Sequence, residues 1–188
     1  ASMRDRTLLG SAVVPLRLVF FMWLVYTIEF MYQIDLGWLG IRPRTLDGLI
    51  GIVTAPVIHG TLVHLISNTL PLLFLGTLLF YFYPRIAGNV FLQCYFITNA
   101  LVWLLSPRVS YHIGASGLIY GLSAFLIFFG LLRRDFGSLF VSIVVFVMYG
   151  GIFYGIFPGN PHVSWESHLA GALVGLISAY LYSNTQRV

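Results

Sequence analysis

Long apolar runs separated by short polar, proline-bearing or glycine-bearing breaks dominate the chain. Six runs stand out, at about residues 10–32, 57–81, 86–105, 115–132, 138–157 and 165–183. Each is close to the roughly 20 residues that an α-helix needs to cross a hydrocarbon core. The breaks are "YPRIAGN", "SPRVSYHIG", "RRDFG" and "FPGNPHVSWES", after the second, third, fourth and fifth runs, and their turn residues punctuate helices. Residues 33–56 form a longer connection. It intersperses Trp38, Leu39, Ile41, Leu46, Leu49 and Ile50 with Arg42, Arg44 and Asp47, and reads as an amphipathic segment in the membrane interface, with a plain loop as the alternative.

Composition agrees with this pattern. Hydrophobic residues make up 59% of the 188 and charged residues only 9%, too little polar surface for a water-soluble globule. The expected fold is all-α, a polytopic membrane protein with six helices in one domain over residues 1–188. Cys94 is the only cysteine, which excludes an intramolecular disulfide and a multi-cysteine metal site, and its apolar setting suits a small buried residue. The segment "ASMRDR" reads as a cytoplasmic lead-in to a retained span, since the run after it is too long for a signal-peptide core.

The net charge of +4 comes from ten arginines and no lysine. They are scattered singly or in pairs, which argues for topology and against nucleic acid. With six spans, Arg4, Arg6, Arg85, Arg133, Arg134 and Arg187 fall on one side and Arg42, Arg44 and Arg108 on the other. The positive-inside rule therefore predicts cytoplasmic termini. Short tails on a compact six-span chain suit a prokaryotic plasma membrane.

That topology gives the polar residues a common depth. Ser116 opens span four, His168 lies near the start of span six, and His64 and Asn68 lie within the first turns of span two. Even-numbered spans all begin on the outer side, so these four share one half of the bilayer. A lone buried histidine or asparagine is more often hydrogen-bonding glue between helices. Four polar groups from three helices instead imply a shared site. His64 and Asn68, four apart, share a helix face, whereas His59 on a continued helix would be rotated from His64 by about 140°. Zinc is disfavoured on that ground, and no His-Glu-x-x-His is present; no metal or other cofactor is expected.

Serine chemistry needs a nucleophile, a base and oxyanion donors. Ser116 and His168 supply the first two if spans four and six pack closely. Gly117 and Gly121 on one, with Gly171, Gly175 and Ala179 on the other, form small-residue seams that permit it, although generic packing explains such seams equally well. The free amides at the start of span four, with the His64 imidazole and the Asn68 amide, can build an oxyanion hole. No acidic third member sits at a persuasive position. Glu166 is two residues from His168, on another helix face near the membrane surface, so a Ser-His dyad is expected.

These residues resemble the rhomboid family of intramembrane serine proteases across the six-span core. Gly114-Ala115-Ser116-Gly117 looks like the family's Gly-x-Ser-Gly nucleophile motif. "HLAGALVGL", His168 to Leu176, looks like its histidine motif, with Gly171 and Gly175. "HGTLVHLISN", His59 to Asn68, resembles its second-span motif. The resemblance implies Ser116 as nucleophile, His168 as general base, and His64, Asn68 and the Ser116 amide as oxyanion donors. His59 supports them, and Tyr120 is the aromatic packed on the histidine. It also implies cleavage of single-pass or polytopic membrane proteins near the outer face, in the lipid bilayer. Many members carry a Trp-Arg pair in the first outer loop, and the aligned region near Ile50 and Gly51 has neither. The rivals are a pseudoprotease that binds membrane clients, against which the intact serine and histidine argue, and more distantly a transporter, for which Pro71 in span two is the hint of a broken helix. Span five, aromatic and glycine-bearing, is a candidate movable gate. His112 and His162 read as loop histidines, and Arg42, Arg44 and Asp47 as a solvated loop face.

Overall fold

The computed structural model describes residues 7–160 and 163–184. Six helical stretches follow the six runs closely. They are α1 (Leu8–Tyr32), α2 (Leu62–Phe82), α3 (Pro84–Leu105), α4 (Ser116–Arg133), α5 (Phe136–Tyr149) and α6 (Trp165–Ser183). A seven-residue 3₁₀ turn, Gly150–Ile156, prolongs α5. Five stretches are long and apolar enough to cross a membrane: α1, α2, α3, α4, and α5 together with its turn. The sixth, α6, carries Glu166, Ser167, His168 and Ser178 buried against protein, and its polarity marks an inner helix of the bundle.

The helix ends follow from local chemistry. Thr7, Thr61, Asp135 and Ser164 cap α1, α2, α5 and α6, each side-chain oxygen accepting a free first-turn amide. Pro84 stops α2 and starts α3, because its ring cannot continue the first helix but suits the first position of the next. Pro71 leaves α2 continuous, so the hint of a broken helix does not hold. In α3, a π-helical turn at Gln93–Ile97 places Gln93 to accept from Ser178 Oγ at 2.8 Å.

The architecture is built around α4, whose residues are buried almost throughout. In lipid, helices associate by packing rather than by hydrophobic transfer, so close backbone approach matters most. The glycine seams provide it. A Cβ at Gly171 would lie 2.0 Å from the Gly117 carbonyl oxygen, and one at Gly175 would lie 2.1 Å from that of Gly121. Cys94 fills the space over Gly121, 2.9 Å from where its Cβ would be, which matches the small buried role expected of it. On the far side, α1 meets α2 where Pro15 packs on Gly76. Phe125 and Phe129 stack at 4.9 Å deep in α4, with Tyr83 edge-on to both.

The connection from α1 to α2 is more ordered than a plain loop. It holds short helical turns at Gly37–Leu39, Asp47–Leu49, Gly51–Thr54 and Ala55–Val57. Leu46, Leu49, Ile50 and Val53 face outward, as an interfacial segment requires. Its inner edge is tied to α3: Tyr95 Oη donates to the Val53 carbonyl, Asn99 Nδ2 to Ile52 and Trp103 Nε1 to Thr45. Arg42 and Asp47 pair on the exposed face at 3.5 Å, as expected. Arg44 departs from that reading, because its guanidinium donates to the Ser106 carbonyl at 2.5 Å.

Candidate active site

The loop before α4 reverses direction at Gly114, whose φ of +101° belongs to glycine's territory. A side chain there would collide with a neighbour as well: a Cβ would lie 2.6 Å from the His64 ring and 3.3 Å from Asn68 Nδ2. The Gly114 amide donates to the Ala55 carbonyl at 2.8 Å, which fixes the turn against the first connection. Ser116 then opens α4, with amides in its first turn that have no acceptor within the helix.

Across the glycine seam, His168 Nε2 lies 3.0 Å from Ser116 Oγ. The other ring nitrogen, Nδ1, lies 3.0 Å from the Gly155 carbonyl oxygen. A carbonyl only accepts, so Nδ1 carries the proton, and Nε2 offers a lone pair to the serine hydroxyl. Tyr120 stacks flat on the imidazole, with centroids 4.0 Å apart and planes 7° from parallel. Its hydroxyl donates to the Ile152 carbonyl at 2.5 Å. Gly117, Gly171 and Gly175 bring α4 and α6 close enough for all of this.

His59 lies just before the start of α2, and this corrects the rotation argument. Off the helix, its ring turns back to meet His64 edge-on at 4.8 Å. Asn68 Nδ2 donates to His59 Nε2 at 2.9 Å. Burial first, and the adjacent His64 second, push the His59 pKa down to about 3, so it stays neutral and can accept that bond. One Asn68 N–H is thereby committed, and the second is left for a ligand.

Ser116, His168, His64 and Asn68 line one cavity of about 890 Å³, together with loop residues such as Ser110 and Asn160. The predicted convergence of three helices is therefore present. Among the described residues, no three His, Cys, Asp or Glu side chains form a group that could hold a metal ion.

Sequence reasoning missed a second polar cluster. Glu166 is buried and takes a two-pronged ion pair from Arg108, with Nε donating to Oε1 at 2.5 Å and Nη2 to Oε2. Arg108 Nη2 also donates to the Val163 carbonyl at 2.8 Å. His112 is likewise buried, against the expectation of an ordinary loop histidine. It bonds Ser164 Oγ at 2.7 Å and Ser106 Oγ at 3.2 Å, and its backbone pairs with Ile41. Burial lowers its pKa. These contacts tie the loop that delivers Ser116 to the start of the helix that carries His168. The clue was in the sequence, as a carboxylate inside an apolar helix demands a cation, but spacing could not name the partner. His162, Arg4, Arg6 and Arg187 lie outside the described residues.

A family model described as "Rhomboid domain" matches residues 47–185 of the chain. Uncharacterized proteins of Mycobacterium bovis and Mycobacterium tuberculosis are each 36% identical over 203 residues, covering 98% of this chain and 80% of their own length. One of Mycobacterium leprae is 37% identical over 186 residues, covering 89% of this chain and 70% of its own.

Proposed function

The chain belongs to the rhomboid family, and from that membership we propose that it is an intramembrane serine endopeptidase cleaving membrane-anchored substrates near the outer face. The observation that carries the reading is the 3.0 Å contact between Ser116 Oγ and His168 Nε2 on the wall of a cavity that His64, Asn68 and other polar side chains also line. Ser116 Oγ attacks the scissile carbonyl carbon while its proton passes to Nε2. The oxyanion is met by the Ser116 amide, the free N–H of Asn68 and the His64 imidazole. Collapse breaks the C–N bond, and the imidazolium returns the proton to the departing amine. Water, activated by the same Nε2, then hydrolyses the acyl-enzyme and restores Ser116.

A hydrolase inside lipid needs water, and the polar loop residues lining the mouth of the cavity support its entry. A substrate helix must also unwind locally, since its own hydrogen bonds shield the scissile carbonyl. In this reading both termini are cytoplasmic and the membrane is a prokaryotic plasma membrane, which fits the bacterial relatives.

The test uses purified protein in detergent, a panel of transmembrane substrates and a fluorophosphonate probe. Ser116→Ala and His168→Ala are each expected to abolish labelling and to lower cleavage by on the order of 10⁴-fold or more. Activity surviving both substitutions sinks the dyad. A parent protein that binds substrates but neither cleaves nor labels is a pseudoprotease.

A further inference from the structure

The proton on His168 Nδ1 needs an acceptor, and among the described residues no carboxylate provides one: both oxygens of Glu166 are engaged by Arg108. The acceptor is the backbone of the turn that ends α5. Seven residues of 3₁₀ geometry, Gly150–Ile156, make an unusually long run of that form. Two of its carbonyls bond side chains of the dyad's surroundings. Gly155 accepts from His168 Nδ1 at 3.0 Å and Ile152 accepts from Tyr120 Oη at 2.5 Å. Since the Tyr120 ring lies flat on the imidazole, one segment grips both members of the stack. Residue 155 must be glycine for this, because a Cβ would lie 2.1 Å from Tyr120 Oη and 3.1 Å from His168 Nδ1.

We propose that the Gly150–Ile156 turn is the positioning element of the dyad, its Gly155 carbonyl setting the tautomer and direction of the His168 imidazole and its Ile152 carbonyl clamping the stacked Tyr120. This rests on the serine protease reading and deepens it. It supplies through the main chain what an acidic side chain supplies in a triad: an acceptor that keeps the proton on Nδ1 and Nε2 free to take the serine proton. It also links access to chemistry. The turn hangs on α5, a helix that presents Phe140, Ile143, Phe146 and Val147 outward. Any displacement of α5 would therefore draw the Gly155 carbonyl away from His168 Nδ1.

The test compares two readouts, cleavage of a transmembrane substrate and the rate of fluorophosphonate labelling, a small probe that needs an aligned dyad but no lateral entry. Gly155→Ala is expected to lower both by on the order of 10²-fold, the loss typical of a group displaced by about 1 Å. Tyr120→Phe alone lowers both only a few-fold. The double variant Gly155→Ala/Tyr120→Phe recovers part of the loss, because the 2.1 Å collision with the hydroxyl is gone while the 3.1 Å approach to His168 Nδ1 remains. Cleavage that falls while labelling holds would show that the turn serves entry only, and overturns the proposal, as does a Gly155→Ala protein normal in both. Should Gly155→Ala fail to fold, the ¹⁵N resonances of His168 in the parent decide. An Nδ1-protonated imidazole agrees; an Nε2-protonated one overturns the idea. A parent that neither labels nor cleaves refutes the protease reading itself, a result distinct from all of these.

Discussion

The pair α4 and α6 and the helix α5 with its turn are adjacent, and α4 and α5 are buried to very different extents. In α4, 72% of the most apolar 18-residue stretch is buried, against 17% for α5 and its turn, so one is locked inside protein and the other mostly meets lipid. Glycines bring α4 and α6 to backbone distance next to Ser116 and His168, whereas α5 reaches that distance from α4 only toward the other end of α4, where a Cβ at Gly130 would lie 2.2 Å from the Ser138 carbonyl oxygen and Ser142 Oγ bonds the Ile127 carbonyl. Ser116 and His168 both sit on the closely packed pair. The carbonyl that accepts from His168 Nδ1, that of Gly155, sits on the turn that prolongs α5. In the proposed reading, the reacting atoms sit on the well-buried pair and the group that aligns them sits on the more exposed helix.

The strongest way to break the contrast is to loosen the closely packed pair. Gly171→Ala places a methyl 2.0 Å from the Gly117 carbonyl, so α4 and α6 must separate. A loss of about 1–3 kcal/mol of stability is expected, with cleavage and labelling falling together by 10²-fold or more. A variant with parental melting and activity would refute the seam as the determinant of the Ser-His distance.

Next is the clamp between loop and helix. Arg108→Ala leaves the Glu166 carboxylate, 5% exposed, without its cation. Its thermal midpoint should fall by several degrees. The double variant Arg108→Ala/Glu166→Gln should recover part of that loss, since no buried charge is left unpaired. Equal midpoints for the single and double variants would argue against the ion pair as the cause.

Acidification probes the neutral histidine beside Asn68. The His59 pKa is depressed to about 3, so its contribution to stability is full above the unfolded value of about 6.5 and is lost as pH falls below it. Between pH 7.5 and 5 this is worth up to about 2 kcal/mol. Denaturation of the parent and of His59→Gln across that range should diverge at high pH and converge toward pH 5. Parallel curves would count against the assignment.

The smallest effect sharpens the α5 side. Phe153 meets Tyr120 edge-on at 5.9 Å, and Phe153→Ala removes that contact while both carbonyl bonds remain. Transmembrane substrate cleavage should rise a few-fold with labelling unchanged. A fall in both readouts would show that the Phe153 ring helps the turn hold Tyr120, and would count against a gating role for α5.

Much of this was legible along the chain. Hydropathy located six helices to within about five residues, because burial in lipid is averaged over a whole turn and tolerates local exceptions. The four-residue glycine spacing and the common depth of Ser116, His168, His64 and Asn68 pointed to one site, because both follow from helix geometry alone. His59 was misread for the same reason: helical periodicity was extended through residues that lie just before the helix begins. His112, Glu166 and Arg108 were undervalued because the contacts that tie them to the start of α6 or to its preceding loop span 52 positions or more.

The sequence by itself determined that the chain crosses a membrane as a helical bundle, and which side chains could form a nucleophile, a base and an oxyanion cradle, since these depend on composition, periodicity and residue type. The tertiary structure alone decided what His168 Nδ1 bonds. The acceptor for His168 is a main-chain carbonyl, a group every residue carries, and only the path of the chain sets which one arrives, so no pattern of letters could have singled out Gly155.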